Sequence, residues 1–112
     1  MLPHAEKYPS TPDGRYFVVR GRLWRKSNPA LPNAQGEVLV KALMHARREL
    51  RGKGSAEGRL KARRLVEEVK RELGERGPVW WTGGAPDYNR RMARTTPYAA
   101  WYASVEAGVQ GV

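Results

Sequence analysis

The sequence contains no cysteine and no isoleucine, and only two histidines and two aspartates occur among its 112 residues. Without cysteine, disulfide frameworks, thiol nucleophiles and cysteine-based metal clusters are excluded. His4 and His45 stand far apart in the chain, so we expect no multi-histidine metal site and predict no cofactor. No apolar run approaches the ~18 residues that cross a bilayer. Since the N-terminus also lacks an apolar signal segment, we expect a cytoplasmic protein without a membrane span.

Large aliphatic residues are scarce. Leu, Val and Phe together make up 20 of the 112 residues, a fraction that, at high net charge, is typical of disordered chains. Four Trp and five Tyr favour folding instead, because each large ring buries roughly 150–250 Å². We therefore expect a folded domain with a thin core, which a homodimer or another protein partner would extend.

Acidic residues are outnumbered by basic ones. The chain has 21 Lys and Arg against 11 Asp and Glu, which gives a formal net charge of +10. Such an excess indicates an acidic partner, most simply the phosphates of a nucleic acid, with a protein or membrane surface as the alternative. DNA is favoured over RNA, and association with the nucleoid is compatible with this composition.

The N-terminal quarter predicts an arm followed by extended structure. Residues 1–14 contain three prolines and no periodicity, which predicts an extended arm. Residues 15–25 are rich in β-branched and aromatic residues, which predicts either one strand or a tight hairpin with Arg20–Gly21 as its loop. In a single strand, Arg20, Arg22 and Trp24 would share one face with Tyr16 and Val18.

The central third predicts two helices. Leu39, Leu43, Ala46 and Leu50 form one apolar stripe, and Ala62, Leu65, Val66, Val69 and Leu73 form another. We expect Asn33 and Ser55 as N-caps and Gly77-Pro78 as the stop signal, which bounds a helical hairpin at about 33–76. The short link between the helices predicts antiparallel packing.

The last third predicts a loop with paired indoles, then short helices. Trp80 and Trp81 precede a Gly-Gly-Ala-Pro turn. Asp87 is placed to cap a short helix at 87–94, and Thr96-Pro97 to begin a second one. The fold class expected is therefore mainly α: an antiparallel αα-hairpin with a short N-terminal strand or hairpin and one or two short C-terminal helices. We expect one small domain at 15–107 and a disordered tail at 108–112.

The candidate nucleic-acid interface combines basic and aromatic side chains, because cations neutralise phosphates and rings stack on bases. Near the N-terminus the basic residues are interleaved with aromatics and free of acids, and a second group surrounds the link between the helices. The candidates are Arg15, Arg20, Arg22, Trp24, Arg25, Lys26, Arg47, Arg48, Arg51, Lys53, Arg90 and Arg91. Trp24, Trp81 and Tyr88 are the candidates for base stacking.

Several long motifs carry a family resemblance. They are Asp13-Gly14-Arg15-Tyr16, followed by Val18-Val19-Arg20-Gly21-Arg22-Leu23-Trp24-Arg25 and Ser27-Asn28-Pro29, then Gly74-Glu75-Arg76-Gly77-Pro78-Val79-Trp80-Trp81 and Gly84-Ala85-Pro86-Asp87-Tyr88-Asn89-Arg90-Arg91. With these motifs, the chain resembles a family of short uncharacterised bacterial proteins over most of positions 13–104. Members are often labelled Tol-type biopolymer transporters, which implies a membrane span that this sequence does not contain. The resemblance supplies no catalytic residue.

An enzymatic alternative centres on the segment from Trp80 to Arg91. An acid, an amide and two guanidinium groups near aromatic rings could hold a flipped base, with Asp87 activating a water and Asn89 beside it. Such a protein would be a small DNA-processing enzyme of the base-excision type. The simpler interpretation makes Asp87 a helix cap and the chain a passive nucleic-acid-binding protein, and a third makes it a basic subunit of a protein assembly.

Overall fold

The structure, a computed structural model, describes residues 8–52 and 54–110, and the side chains of 8–52 and 54–107. These residues form two compact units. One, the helical unit, comprises residues 27–82. The other, the hairpin unit, comprises residues 8–26 and 83–110. Three α-helices and one two-stranded antiparallel sheet lie within the described ranges, so the expected mainly helical class is confirmed.

The helical unit is built on α1 (Asn33–Arg51) and α2 (Ala56–Leu73). Their apolar stripes meet in a core of Leu39, Leu43, Val69 and Leu73, each at most 7% exposed. This cluster follows from the predicted spacing, because residues three and four apart share one face of a helix. The two predicted helices are therefore confirmed as elements.

The helix ends agree with the sequence signals only in part. Ser55 caps α2 as expected, since its Oγ accepts a 3.0 Å hydrogen bond from the Gly58 amide. Asn33 is instead the first helical residue of α1 and caps nothing, because Pro32 holds the N-cap position.

Gly74 rather than Gly77 ends α2, so the predicted stop at Gly77-Pro78 is wrong. Gly74 adopts a left-handed conformation with φ of 89°. A Cβ built there would lie 2.9 Å from Cδ1 of Trp80. Only glycine allows the indole this close, so the chain leaves the helix one turn earlier than predicted.

The hairpin unit contains β1 (Tyr16–Val19) and β2 (Arg22–Arg25), which pair antiparallel. Arg20 and Gly21 form the connecting turn with φ of 54° and 81°. Two positive φ values are the mark of a type I′ turn, whose twist matches that of the flanking strands. Of the two predictions left open by the sequence, the tight hairpin is the one confirmed.

The turn also corrects the predicted faces. Because the chain reverses at Arg20–Gly21, Tyr16 pairs with Arg25 and Val18 pairs with Leu23. These four side chains are buried. The other face carries Phe17, Val19, Arg22 and Trp24. Arg22 and Trp24 thus share a face, as expected, but Tyr16 and Val18 lie on the opposite one.

The part of the N-terminal arm that the structure describes runs beside β1. The Val18 amide donates to the Pro9 carbonyl at 3.0 Å, and the Thr11 amide donates to the Tyr16 carbonyl at 2.9 Å. Ser10 forms an isolated bridge with Phe17. Residues 8–11 are therefore an extended arm held by backbone hydrogen bonds, whereas residues 1–7 lie outside the described ranges.

On the other side, residues 90–93 run beside β2. The Arg90 amide donates to the Leu23 carbonyl at 2.8 Å, the Leu23 amide to the Arg91 carbonyl at 2.9 Å, and the Ala93 amide to the Gly21 carbonyl at 2.8 Å. The predicted helix at 87–94 is therefore wrong, because β2 takes the backbone groups that a helix would pair internally. Only a short 3₁₀ turn, Ala93–Thr95, forms there.

The third helix, α3 (Ala99–Gln110), follows this turn. Thr96 Oγ1 accepts a 3.2 Å hydrogen bond from the Tyr98 amide, in keeping with the predicted start at Thr96-Pro97. The helix continues through residues 108–110, which were expected in a disordered tail, and residues 111–112 lie outside the description. In the described part of the chain, none of the helices is sufficiently long and apolar to span a membrane.

Candidate nucleic-acid interface

Five arginines gather at the turn end of the hairpin unit. The turn carries Arg20 and β2 begins with Arg22. The segment hydrogen-bonded to β2 carries Arg90 and Arg91, and the 3₁₀ turn that follows it carries Arg94. All five are exposed. We call this set the arginine cluster: Arg20, Arg22, Arg90, Arg91 and Arg94.

Two members of the cluster are positioned by their own side chains. The Arg22 guanidinium donates from Nη1 to the Arg90 carbonyl, which ties β2 to the neighbouring segment. The Arg91 guanidinium donates from Nη2 to the Thr95 carbonyl at 3.4 Å and lies 5.6 Å from the centre of the Tyr88 ring. These contacts hold the charges in place without neutralising them, since each acceptor is a neutral carbonyl or an aromatic face.

Both aspartates of the hairpin unit are committed elsewhere. Asp13 accepts hydrogen bonds from the Tyr98 hydroxyl at 2.5 Å and the Thr11 hydroxyl at 2.7 Å. Burial raises the pKa of Asp13, but these hydrogen bonds outweigh it, so the pKa lies below its ordinary value. Asp87 pairs with Arg25. Within the described ranges, therefore, no ion pair neutralises the arginine cluster.

Two arginines of the cluster occupy a conformation that side chains avoid. Arg20 has φ of 54° and Arg90 has φ of 72°, and no other non-glycine residue in the described ranges has a positive φ. The left-handed region costs a residue with a Cβ roughly 1–2 kcal/mol. Asn or Gly would fit either position with less strain. A positively charged residue is thus present at both positions at the expense of backbone stability.

Aromatic side chains adjoin the cluster on the outer face of the hairpin. Trp24 lies two residues from Arg22 on β2 and pairs across the sheet with Phe17. The Phe17 ring in turn stacks against Tyr8, with ring centres 6.2 Å apart and an interplanar angle of 21°. Trp24 is half-buried. A basic group beside an aromatic strip is the arrangement that binds the phosphates and bases of a single strand.

Arg25, a sequence candidate for this interface, belongs to the interior instead. It is 2% exposed, and its Nη1 lies 3.1 Å from Oδ2 of Asp87. The neighbouring Asn89 supports this strand end, because its Oδ1 accepts a 2.9 Å hydrogen bond from the Arg25 amide. Arg25 therefore stabilises the fold, since a guanidinium buried within the protein cannot reach a phosphate. The alternation of β2 explains the difference, because Arg22 and Arg25 lie on opposite faces.

Asp87 and Asn89, the candidate catalytic pair, hold the loop in shape. Asp87 Oδ1 accepts hydrogen bonds from the Asn89 amide at 2.9 Å and the Tyr16 hydroxyl at 3.4 Å. The Tyr16 hydroxyl also accepts one from the Tyr88 amide at 2.8 Å. Burial, together with the charge of Asp87, raises the pKa of Tyr16 to about 12. Each oxygen of Asp87 thus accepts a hydrogen bond that stabilises the loop, and its activation of a water stays a prediction.

Three other candidates from the sequence make contacts inside the hairpin unit. Arg15 lies 3.9 Å from Asp13, and Lys26 donates to the Ser10 hydroxyl at 3.1 Å, so both serve contacts within the hairpin unit. Tyr88 is half-buried, with the Tyr98 ring packed edge-on against it as well as Arg91 over its face.

In the helical unit, Trp81 packs edge-on against Trp80 with ring centres 5.2 Å apart, and both are half-buried. Arg48 and Arg51 are exposed near the end of α1, whereas Arg47 is half-buried. Lys53, another candidate, lies outside the described residues.

Some bases of the helical unit are engaged locally. Glu67 pairs with Arg71 at 3.1 Å and also with Arg76, and Arg59 donates to the Gly54 carbonyl at 2.7 Å. The helix surface thus resembles an ordinary solvated face, with opposite charges one turn apart. This unit therefore offers a weaker candidate interface than the arginine cluster.

Sequence reasoning did not select Arg94. The available signal was its place in an acid-free run, residues 88–105, that also holds Arg90 and Arg91. Its proximity to Arg20 and Arg22 depends on pairing between segments about 70 residues apart, which no local pattern indicates.

The described residues contain no group of three or more acids and histidines arranged to hold a metal ion. Comparison of the chain with protein-family models, with curated proteins and with solved structures finds no match. The family resemblance drawn from the motifs therefore stays a prediction, and the function has to be argued from the site itself.

Proposed function

We propose that the protein binds nucleic acid through the arginine cluster, with Trp24 as an adjoining stacking residue. The observation that carries the proposal is the left-handed backbone of Arg20 and Arg90. Strain of this kind concentrates where a residue is needed for function. Both positions here hold a cation, and both belong to one exposed group that forms no ion pair among the described residues, although Glu106 lines a pocket together with Arg20.

Arginine suits this role for a chemical reason. Its planar guanidinium gives two parallel hydrogen bonds to a phosphate, and its charge does not titrate in the physiological range. Five such groups would displace several counterions from a nucleic acid. The affinity should then fall with salt, with a slope of roughly 0.7–0.9 per phosphate contacted.

The helical unit offers a secondary basic surface. We infer that α1 and α2 run antiparallel, which would place Arg48 and Arg51 near the start of α2 and its Arg63 and Arg64. These four side chains are exposed. They differ from the arginine cluster in having neither aromatic neighbours nor strained backbone, so we expect them to add weak electrostatic attraction only.

The test compares charge-matched double variants. Arg20→Asn/Arg90→Asn removes two charges from the cluster, whereas Arg48→Gln/Arg51→Gln and Arg63→Gln/Arg64→Gln remove two from the helical unit. Binding to fluorescein-labelled single- and double-stranded DNA and RNA is measured by anisotropy across a salt series. We expect the first variant to weaken binding at least tenfold and to lower the salt slope by about 1–2. The helical-unit variants should change the affinity less than threefold.

Trp24→Ala serves as the test of stacking. If a base stacks on the indole, its loss should cost about 1–3 kcal/mol of binding to single strands, with an unchanged salt slope. Equal losses from all three double variants would show that only net charge matters and would refute the assigned surface. Absence of binding at low salt would refute the function itself.

A further inference from the structure

The hairpin unit contains a cavity of about 320 Å³ beside the Arg20–Gly21 turn, and this cavity is widely open to solvent. This is the small end of the roughly 300–1,000 Å³ range of ligand sites, so it suits one ring system rather than a larger molecule. Its walls come from the hairpin on one side and from α3 on the other. The main lining residues are Val18, Arg20, Gly21, Tyr102, Val105 and Glu106.

The apolar walls favour a flat ring. Val18 and Val105 supply aliphatic surface, and Gly21 is covered by the side chains of Met92 and Tyr102. A Cβ built on Gly21 would lie 3.4 Å from the Tyr102 hydroxyl, which shows how closely α3 approaches the turn.

The polar groups lie at chemically different points. Arg20 brings a cation that also belongs to the arginine cluster, and Glu106 brings a carboxylate one helical turn beyond Tyr102. Burial, with the charge of Glu106, raises the pKa of Tyr102, so the phenol keeps its proton. A carboxylate accepts hydrogen bonds from the amino groups of bases. Guanine is the best match because its N1–H and its amino group can point at two carboxylate oxygens together.

We propose that this cavity receives one unpaired guanine, with Glu106 accepting from the Watson–Crick edge and Arg20 holding an adjacent phosphate. The proposal rests on the nucleic-acid-binding function and specifies its substrate as a single strand. A thymine or uracil would turn two carbonyl oxygens toward Glu106 and offer only one donor. A guanine in a duplex would first have to leave the stack, which costs a few kcal/mol.

The experiment uses the full chain and fluorescein-labelled oligonucleotides. An all-thymine single strand is compared with the same strand bearing one central guanine, and with the guanine strand in a duplex. We expect the guanine to tighten binding about tenfold in the single strand, which is within the range of a good two-bond base contact. Glu106→Gln should reduce this preference to less than twofold. The matched control is Glu37→Gln on α1, an equal change of charge at an exposed site, and it should preserve the preference.

A second measurement needs no variant. A strand carrying thienoguanosine, a fluorescent guanine analogue that keeps the N1–H and the amino group, reports its surroundings by fluorescence, and insertion into the cavity should change its intensity. Measurable binding with equal affinity for both strands and unchanged thienoguanosine emission would overturn the inference while leaving the proposed function standing. No binding to any oligonucleotide at low salt would instead refute the proposed function.

Discussion

The guanidinium of Arg25 and the carboxylate of Asp87 are 3.1 Å apart, but they face different surroundings. The Arg25 side chain is 1% exposed and that of Asp87 is 40% exposed. The pair therefore joins one interior charge to one that water also stabilises. The two ends should respond differently to mutation, because losing a charged partner costs a buried charge more than an exposed one.

Asp87→Asn should lower the free energy of unfolding by about 2–4 kcal/mol, because it leaves the Arg25 charge buried beside a neutral amide. Arg25→Met should cost less, since the abandoned carboxylate can be solvated. Urea denaturation of the two variants at neutral pH measures the difference. If Arg25→Met were the more damaging change, the packing of the guanidinium, rather than its charge, would stabilise this end of β2.

Arg20→Asn should move stability and binding in opposite directions. Asn tolerates the left-handed region of a type I′ turn, so unfolding should require about 0.5–1 kcal/mol more than in the wild type. Binding to single-stranded DNA should weaken, because one guanidinium of the cluster is lost. Arg20→Ala is the matched control, which removes the same charge without relieving the strain. A loss of stability in Arg20→Asn would mean that Arg20 makes contacts worth more than the strain.

Gly74→Ala should destabilise the helical unit by about 2–3 kcal/mol. The residue combines a φ of 89° with a would-be Cβ 2.9 Å from Trp80 and 3.1 Å from Asn28. The control is Gly54→Ala in the same unit, where a Cβ would meet nothing within 4 Å. Thermal unfolding followed by circular dichroism compares the two. Similar melting temperatures would contradict the close approach of the indole to Gly74.

Glu75→Gln should stabilise the protein at neutral pH but not in acid. Burial raises the pKa of Glu75 above its ordinary 4.5, although the hydrogen bond from Ser27 opposes this. The folded state then holds its proton more tightly than the unfolded chain, so stability declines as the pH rises from 4.5 through the folded pKa. Gln removes that decline and keeps an oxygen for Ser27. Melting temperatures of the two proteins are measured from pH 4 to 8, and the variant should gain on the wild type as the pH rises. A difference in melting temperature that is the same at every pH would contradict the raised pKa of Glu75.

Local patterns were enough for the helices but not for the hairpin unit. The stripes of α1 and α2 could be predicted because residues three or four apart meet on one helix face. The turn at Arg20–Gly21 stayed one of two alternatives, because arginine is not a residue typical of that turn. The helix predicted at 87–94 failed for a related reason, since its backbone pairs with β2 more than 60 residues away.

The candidate site was predicted residue by residue but not as an arrangement. Arg20, Arg22, Arg90 and Arg91 were chosen for their charge, and the structure brings them together. Arg25 was chosen on the same grounds, and its burial depends on Asp87, 62 positions away. Composition cannot distinguish a surface cation from an interior one when the partner is distant in sequence. The opposite faces of Arg22 and Arg25 could be assigned only after the turn at Arg20–Gly21 was located.

Within the described ranges, the small sheet has no exposed edge strand. Pro9 and Thr11 take the outward backbone groups of β1, and Arg90, Arg91 and Ala93 take those of β2. An unprotected strand invites pairing with another chain, which leads to aggregation or to strand addition by a partner. With both borders covered, recognition by this unit has to proceed through side chains. Shortening the arm past Thr11 should therefore expose the outer edge of β1 and make the protein self-associate.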